Sequence, residues 1–356
     1  MDHEEIVGWL REDDPQELTR LWKTADDLRH QNVGDEVHLR GLVEFSNHCA
    51  RLCGYCGLRA DNCSINRYRM SADEIVHCAH QAREFGYGTV VLQSGEDRGV
   101  TMDWLADLVR RIKAETGRAV TLSVGERDVA ELAAWREAGA DRYLMRFETS
   151  NPHLYSAIHP DLPGKISDRI VLLQRMRDLG YEVGSGVMVG IPGQNYDDLA
   201  RDIALFRELD LDMIGIGPFL PHPATPLGQK DVARCADQVP NSEMMTYKAV
   251  ALTRIACPLA NIPSTTALAT VNRAAGRELG LRRGANIVMP NITPVKYRKE
   301  YQIYPGKACL MEDAVECHTC MEMRIRGIGR EIGRGTGRSR NHVQRYPGTE
   351  EETSCN

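Results

Sequence analysis

The feature that most constrains the fold is an alternation that occupies most of the chain. From about residue 39 to 290, short runs rich in aliphatic and β-branched residues alternate with longer, charged, amphipathic stretches. The strand-like runs lie at 38–45, 89–93, 120–124, 142–147, 183–189 and 212–217, with a weak one at 261–263 and a last at 286–289. Helical patterns fall between them, at roughly 102–116, 127–139, 166–180, 195–209 and 241–256. Another opens at Ser71-Ala-Asp-Glu74, an N-cap followed by Glu three residues on. Adjacent parallel strands need a long crossover between them, so this order predicts a parallel sheet. Eight such units over about 250 residues predict an α/β fold, a (β/α)8 TIM-type barrel; a doubly wound open sheet is the alternative. A barrel would put chemistry in the loops after the C-terminal strand ends.

On this reading residues 1–36 form an N-terminal helical segment, with Trp9, Leu10, Leu18, Leu21 and Trp22 as its apolar positions. The barrel spans 37–300, and a cysteine-containing C-terminal extension spans 301–345. Residues 346–356 read as a disordered tail.

Composition removes several function classes. A net charge of −6 gives no general pull toward nucleic acid. No apolar run approaches the roughly 18 residues of a membrane span, and the acidic start Met1-Asp-His-Glu-Glu5 is unlike a signal peptide. A cytoplasmic protein is expected. In a reducing compartment, the 11 cysteines point to metal binding or catalysis rather than disulfides.

Three of them form the run Cys49-Ala-Arg-Leu-Cys53-Gly-Tyr-Cys56, just after the first strand. A closed [4Fe–4S] site takes four thiolates; three leave one iron open for chemistry. A zinc site or unrelated thiols are the bland alternatives. The second strand ends in Ser94-Gly95-Glu96, where small residues admit close backbone approach and a carboxylate can offset positive charge. The fourth ends in Arg146-Phe-Glu148, two charged residues that a regular strand would point to one side. A structural ion pair would explain these equally. Glycines in the fifth and sixth strands, at Gly184, Gly186, Gly215 and Gly217, fit either ligand approach or tight packing.

The cysteine triplet resembles that of the radical S-adenosylmethionine (SAM) superfamily. That resemblance implies a [4Fe–4S] cluster whose open iron is chelated by SAM, and reductive cleavage of SAM to a 5′-deoxyadenosyl radical. Further segments narrow the likeness: Glu44-Phe-Ser-Asn47, Arg67-Tyr-Arg-Met70, Leu92-Gln-Ser-Gly-Glu-Asp97, Asn261-Ile-Pro-Ser-Thr-Thr-Ala267 and Tyr301-Gln-Ile-Tyr-Pro-Gly-Lys307. Together they resemble the HydE-type maturases of [FeFe]-hydrogenase, over about residues 36–325. The resemblance implies that Cys49, Cys53 and Cys56 hold the cluster. It implies a SAM seat made of Tyr55, Ser94, Gly95, Glu96, Arg146, Glu148 and Arg169. Gln93, Thr121, Thr265, Thr266, Tyr301 and Tyr304 would line the catalytic cavity. The implied substrate is a cysteine-bound iron carbonyl/cyanide precursor of the hydrogenase two-iron subcluster. Implied partners are an electron donor and other hydrogenase maturases.

A second group, Cys309, Cys317 and Cys320, has spacing suited to a second iron–sulfur cluster, or to zinc with His318. It matches an accessory site in some members of the resembled family and is expected to be dispensable. Cys63, Cys78, Cys235, Cys257 and Cys355 read as ordinary thiols. The arginine- and glycine-rich stretch with Arg324, Arg326, Arg330, Arg334, Arg338, Arg340 and Arg345 reads as a solvated tail or a cap on the barrel bottom, with RNA binding the lesser reading. Competing functions are a methylornithine-synthase-like mutase acting on an amino-acid-derived substrate, a biotin-synthase-like sulfur inserter and a non-enzymatic iron–sulfur carrier.

Overall fold

The computed structural model describes residues 1–347 apart from 165, 230, 231 and 233, so most of the terminal segment 346–356, including Cys355, lies outside the described residues. Its strands are β1 (Glu36–Ser46), β2 (Thr89–Ser94), β3 (Ala119–Ser123), β4 (Arg142–Leu144), β5 (Glu182–Val189), β6 (Met213–Pro218), β7 (Ile287–Val288) and β8 (Glu331–Ile332). The first six lie side by side in chain order, and β7 pairs with the other edge of β1. All these pairings are parallel, with Leu42 opposite Val91 and Val91 opposite Thr121.

The gap between β6 and β7 is closed by single bridges: Met213 to Asn261, Ile216 to Ser264, and Pro263 to Ile287. The weak run at 261–263 is therefore the seventh stave, and the ring is a TIM-type barrel. Pro263 has no N–H to give to a ladder, so the stave exists as bridges rather than a regular strand. The fourth strand is shorter than the sequence suggests. It ends at Leu144, and Glu148 sits at φ +66°, a left-handed conformation that no regular strand contains.

Local signals explain most elements. Ser71 and Glu74 form a reciprocal capping box at the start of the helix Ala72–Glu84. Asp14 caps the helix Pro15–Val33, whose first residue is the proline favoured there. That helix packs on the helix Glu243–Ala256, and His3–Arg11 packs on Tyr196–Glu208. β5 is buried at every position, as expected for a strand covered on both faces.

The arginine- and glycine-rich segment closes the bottom of the ring. β8 pairs with the start of β1, and the chain then crosses the N-terminal strand ends. The Thr336 carbonyl accepts from Thr89 Oγ1 (3.0 Å) and Arg142 Nη2 (3.2 Å). The Gly337 carbonyl accepts from Arg40 Nη2 and Asn261 Nδ2, both at 3.0 Å. A Cβ at Gly88 would strike the Gly335 carbonyl, so two backbones meet here with no room for a side chain. Among the described residues, no helix is long and apolar enough to cross a membrane.

Candidate active site

A cavity of about 350 Å³ lies inside the ring. Cys49, Cys53 and Cys56 line it from the loop after β1. Backbone bonds fix that loop: Ala50 N to the Glu96 carbonyl (2.9 Å), Gly54 N to Ile158 (2.7 Å) and Gly57 N to Ile303 (2.9 Å). Arg67 clasps it further through the carbonyls of Asn47 (2.6 Å) and Leu58 (2.9 Å). A Cβ on Gly95 would collide with the His48 carbonyl, so glycine is what lets the Ser94-Gly95-Glu96 turn lie against the cysteines.

Burial pushes the Cys53 thiol up to about 12 and raises Cys49 and Cys56 as well. Without metal these thiols are neutral, so loading must release protons. Among the described residues, no three His, Cys, Asp or Glu side chains are gathered as for a single metal ion. Three thiols in one loop are the donor set that a four-iron cluster with one open iron takes.

The residues of the expected SAM seat all line the same cavity: Tyr55, Ser94, Gly95, Glu96, Arg146, Glu148 and Arg169. Arg146 and Glu148 do not reach it as neighbours on a strand. The left-handed backbone at Glu148 turns that side chain to the wall, 3.4 Å from Arg146 Nη2. Glu148 Oε2 and Arg146 Nε have no hydrogen-bond partner. Unsatisfied buried polar atoms at a cavity wall fit a charged, hydrogen-bonding ligand such as a zwitterion. Arg169 begins the helix Arg169–Asp178 and donates from Nη1 to the Arg146 carbonyl at 2.6 Å.

The remaining expected residues, Gln93, Thr121, Thr265, Thr266, Tyr301 and Tyr304, also line the cavity. Gln93 Nε2 donates to the Tyr301 hydroxyl at 3.3 Å, and Thr265 Oγ1 to the Ile216 carbonyl at 3.2 Å. Thr121 Oγ1 has no partner. Burial raises both tyrosine hydroxyls, so they remain neutral hydrogen-bonding groups. The glycines divide. A Cβ on Gly184 would meet Met213 and Leu144, and one on Gly186 the Gly215 backbone, which is strand packing. Gly215 and Gly217 instead line the cavity.

Sequence reasoning missed four charged side chains on the wall and one behind it. Arg40 lines the cavity low in the barrel. Glu44 and Lys307 form a buried ion pair, and Asn291 Nδ2 donates to the other Glu44 oxygen at 2.9 Å. Arg51, between two of the cysteines, donates from Nε to Glu96 Oε1 at 2.9 Å and pairs from Nη2 with Glu126 Oε2 at 2.7 Å. Glu126 accepts from Arg169 Nε (2.9 Å) and Ser167 Oγ (2.6 Å) through its other oxygen. Burial opposes its charge, but Arg169, Ser167 and Arg51 together hold its carboxyl below the usual range. One signal was available: Gly125-Glu126 after β3 repeats the Gly95-Glu96 pair after β2.

In the second cysteine group, Cys309 stands at φ +62° in the chain before the helix Ala314–Gly327, which carries Cys317 and Cys320; the neighbouring Cys317 thiol draws the Cys309 thiol below its ordinary range and is itself pushed up. His318 Nδ1 meets the Tyr87 hydroxyl at 3.1 Å and its ring stacks on Phe85.

Comparison with known proteins now bears on this geometry. Residues 43–206 match the Radical SAM superfamily. The [FeFe] hydrogenase maturase subunit HydE of Thermotoga maritima is 49% identical over 89% of this chain and 88% of its own length. The chain belongs to the HydE family. It is a radical SAM enzyme, and membership implies a [4Fe–4S] cluster and SAM as cofactors. The 3-methylornithine synthase of Methanosarcina acetivorans is more distant, 27% identical over 81% of this chain and 79% of its own. A crystal structure of methylornithine synthase matches with a TM-score of 0.80, 26% identity and 94% coverage of each chain. A HydG structure, with a TM-score of 0.74, 19% identity and coverage of 91% of this chain and 71% of its own, shares the fold. The HydE-family donor set fits the implied cofactors: three clustered thiols beside a glycine-opened turn, and charged atoms without a hydrogen bond, Glu148 Oε2 and Arg146 Nε, on the cavity wall.

Proposed function

We propose that this enzyme is an [FeFe]-hydrogenase maturase whose substrate is a cysteine-bound iron carbonyl/cyanide precursor of the two-iron subcluster. The likeness to Thermotoga maritima HydE across nearly the whole of both chains carries this reading. Cys49, Cys53 and Cys56 hold the [4Fe–4S] cluster, which with SAM supplies reductive carbon–sulfur cleavage. Arg169 faces the SAM carboxylate. Ser94, Gly95, Glu96 and Glu148 face its ammonium, with Tyr55 and Arg146 completing the seat.

The cavity chemistry supports the substrate class. Carbon monoxide ligands are weak hydrogen-bond acceptors and suit an apolar wall; Leu42, Val91, Met188, Met213, Ile287 and Met289 supply one. Cyanide nitrogen accepts hydrogen bonds, and Gln93, Thr121, Thr265, Thr266, Tyr301 and Tyr304 present neutral polar groups for it. In this reading the adenosyl group is delivered to the cysteine sulfur. An electron donor and other hydrogenase maturases are its partners. Cys309, Cys317 and Cys320 carry a second, dispensable iron–sulfur cluster.

The likeness to methylornithine synthase over 94% of both chains favours a mutase as second reading. Anaerobic reconstitution followed by electron paramagnetic resonance with and without SAM is the entry test, with Cys56→Ala as control. The reduced cluster signal is expected to change with SAM and to vanish in the variant. Mass spectrometry then decides the substrate. SAM turnover that requires the iron–carbonyl–cyanide–cysteine complex and yields an adenosyl thioether supports the maturase reading. Turnover driven by lysine, with a rearranged amino acid as product, replaces it with the mutase.

A further inference from the structure

The charged network around Glu126 has a geometry that the SAM seat alone does not require. Glu126 lies in the loop after β3, is 4% exposed and is absent from the cavity wall, while Arg51, Glu96 and Arg169 all reach that wall. One Glu126 oxygen takes Arg169 Nε and Ser167 Oγ, at 2.9 and 2.6 Å; the other takes Arg51 Nη2 at 2.7 Å. Its own backbone N–H donates to Glu96 Oε2 at 3.0 Å. Gly125, at φ +80°, makes that approach possible, because a Cβ there would meet the Glu96 side chain at 2.9 Å. His159, fully buried, braces the other end of Arg169 with Nε2 2.5 Å from Nη2.

Arg51 sits inside the cysteine loop and Arg169 leads the helix Arg169–Asp178. Among the described residues, the Glu126 carboxylate is the one that pairs with both. Two buried guanidiniums facing one cavity repel each other, and one carboxylate that accepts a charged hydrogen bond from Arg169 and pairs ionically with Arg51 offsets that repulsion.

We propose that Glu126 is a positioning residue that ties the cluster loop to the SAM seat, holding Arg51 and Arg169 in the orientation that receives the cofactor. This rests on the reading that Arg169 faces the SAM carboxylate. Without Glu126 the two arginines lose their shared anchor; Arg51 keeps Glu96, while Arg169 is left with the Arg146 carbonyl and the His159 ring. Glu126 makes no contact with the reacting atoms, so its removal acts on binding.

The test uses the reconstituted full-length holoenzyme, with SAM as the probe. Iron content and the SAM-free resonance signal of Glu126→Gln should equal those of the parent. The SAM concentration that half-converts the signal should rise at least ~10-fold, the scale of one lost charged hydrogen bond. KM for SAM should rise in parallel while kcat changes less than about twofold, a split that a general structural defect does not produce. Glu126→Asp, which keeps the charge on a shorter arm, should lie between the two proteins. Should Glu126→Gln fail to load its cluster, the aspartate variant carries the test alone, with an expected loss of ~3-fold or more. SAM affinity within twofold of the parent in a fully loaded variant overturns the inference and leaves the seat itself standing. No SAM-dependent change in the parent overturns the seat, and the inference with it.

Discussion

The Lys307–Glu44 pair permits a worked prediction. Lys307 comes from the extension and Glu44 from β1; their side chains are 4% and 1% exposed. Replacing Lys307 with Met keeps the length of the arm and removes the charge. Glu44 would retain Asn291 Nδ2 at 2.9 Å, a single neutral donor, while still buried. Breaking a buried pair by deleting one partner costs about 3–5 kcal/mol. The lost contact of the ammonium over the Tyr301 ring, 5.1 Å from its centroid, adds ~0.5–1 kcal/mol. At a urea dependence of about 3 kcal/mol per molar, the unfolding midpoint should fall by ~1 M or more. The assay is anaerobic urea unfolding followed by far-ultraviolet circular dichroism, on the single variant, Glu44→Gln and the double variant. Because the cost is an unpaired buried charge rather than a missing attraction, the double variant should recover at least ~2 kcal/mol of the loss. A single-variant shift below about 0.3 M, or a double variant no more stable than Lys307→Met, refutes the reasoning.

Three further outcomes follow from the same structure. Gly88→Ala places a methyl against the Gly335 carbonyl, which belongs to a crossing backbone and has little room to retreat; a loss of about 1–3 kcal/mol is expected, with faster trypsin cleavage at Arg334 and Arg338. Asp202, wholly buried in the helix Tyr196–Glu208, has its carboxyl pushed up to about 7 by burial, despite hydrogen bonds from Ser150 N (2.5 Å) and Gln194 (3.3 Å). Its folded state therefore binds the proton more tightly than the unfolded chain, so the stability it contributes is full below pH ~4 and is lost as pH rises to about 7. Asp202→Asn should remove that slope, gaining up to ~4 kcal/mol relative to the parent by pH 8, read from unfolding midpoints across pH; a constant difference would discard the assignment. Triple replacement of Cys309, Cys317 and Cys320 by Ser should lower the iron content while leaving SAM cleavage within about twofold; abolished cleavage would make the second group essential.

The sequence reveals local and periodic features well and three-dimensional meetings poorly. The strand–helix alternation was sufficient for the barrel because each unit carries its own signal, as the Ser71–Glu74 box does for the helix Ala72–Glu84. The weak seventh stave was readable only in outline, since Pro263 denies it a regular ladder. Gln93, Thr121 and Tyr301 were found at one cavity through a family resemblance, not from spacing. Arg146 and Glu148 show the limit of periodicity: a rule for straight strands predicted a shared face, and the chain reaches the cavity by a left-handed turn instead. Lys307, 263 residues from Glu44, could not be paired with it by any local pattern. The Arg–Gly segment read as either a solvated tail or a cap on the barrel bottom, and composition could not choose, because the partners that make it a cap, Thr89, Arg142 and Asn261, are supplied by distant strands.

Buried charge in this barrel stands in two layers, and the layers answer different needs. Buried ion pairs add little stability compared with apolar packing, so each layer needs another reason. In the lower layer, Arg142 Nη2 and Arg40 Nη2 donate to the backbone carbonyls of Thr336 and Gly337, and in the reverse sense Arg345 Nη1 of the C-terminal segment donates to the Asp210 carbonyl of the barrel. A glycine-rich plug crossing strand ends carries carbonyls that no ladder can satisfy, and arginine supplies several donors from one side chain. That layer seals. In the upper layer Arg51, Glu96, Glu126 and Arg169 hold one another, while nearby Glu148 Oε2 and Arg146 Nε have no hydrogen-bond partner. That layer receives. Between them lie the apolar side chains of Leu42, Val91, Leu144, Met213 and Ile287, with the Thr121 hydroxyl among them. With the lower end plugged, both ligands of the proposed reaction enter at the C-terminal mouth. Thr121 lies in the middle of β3 and the cysteines in a loop beyond β1, so Thr121 lies deeper in the barrel than the cysteines.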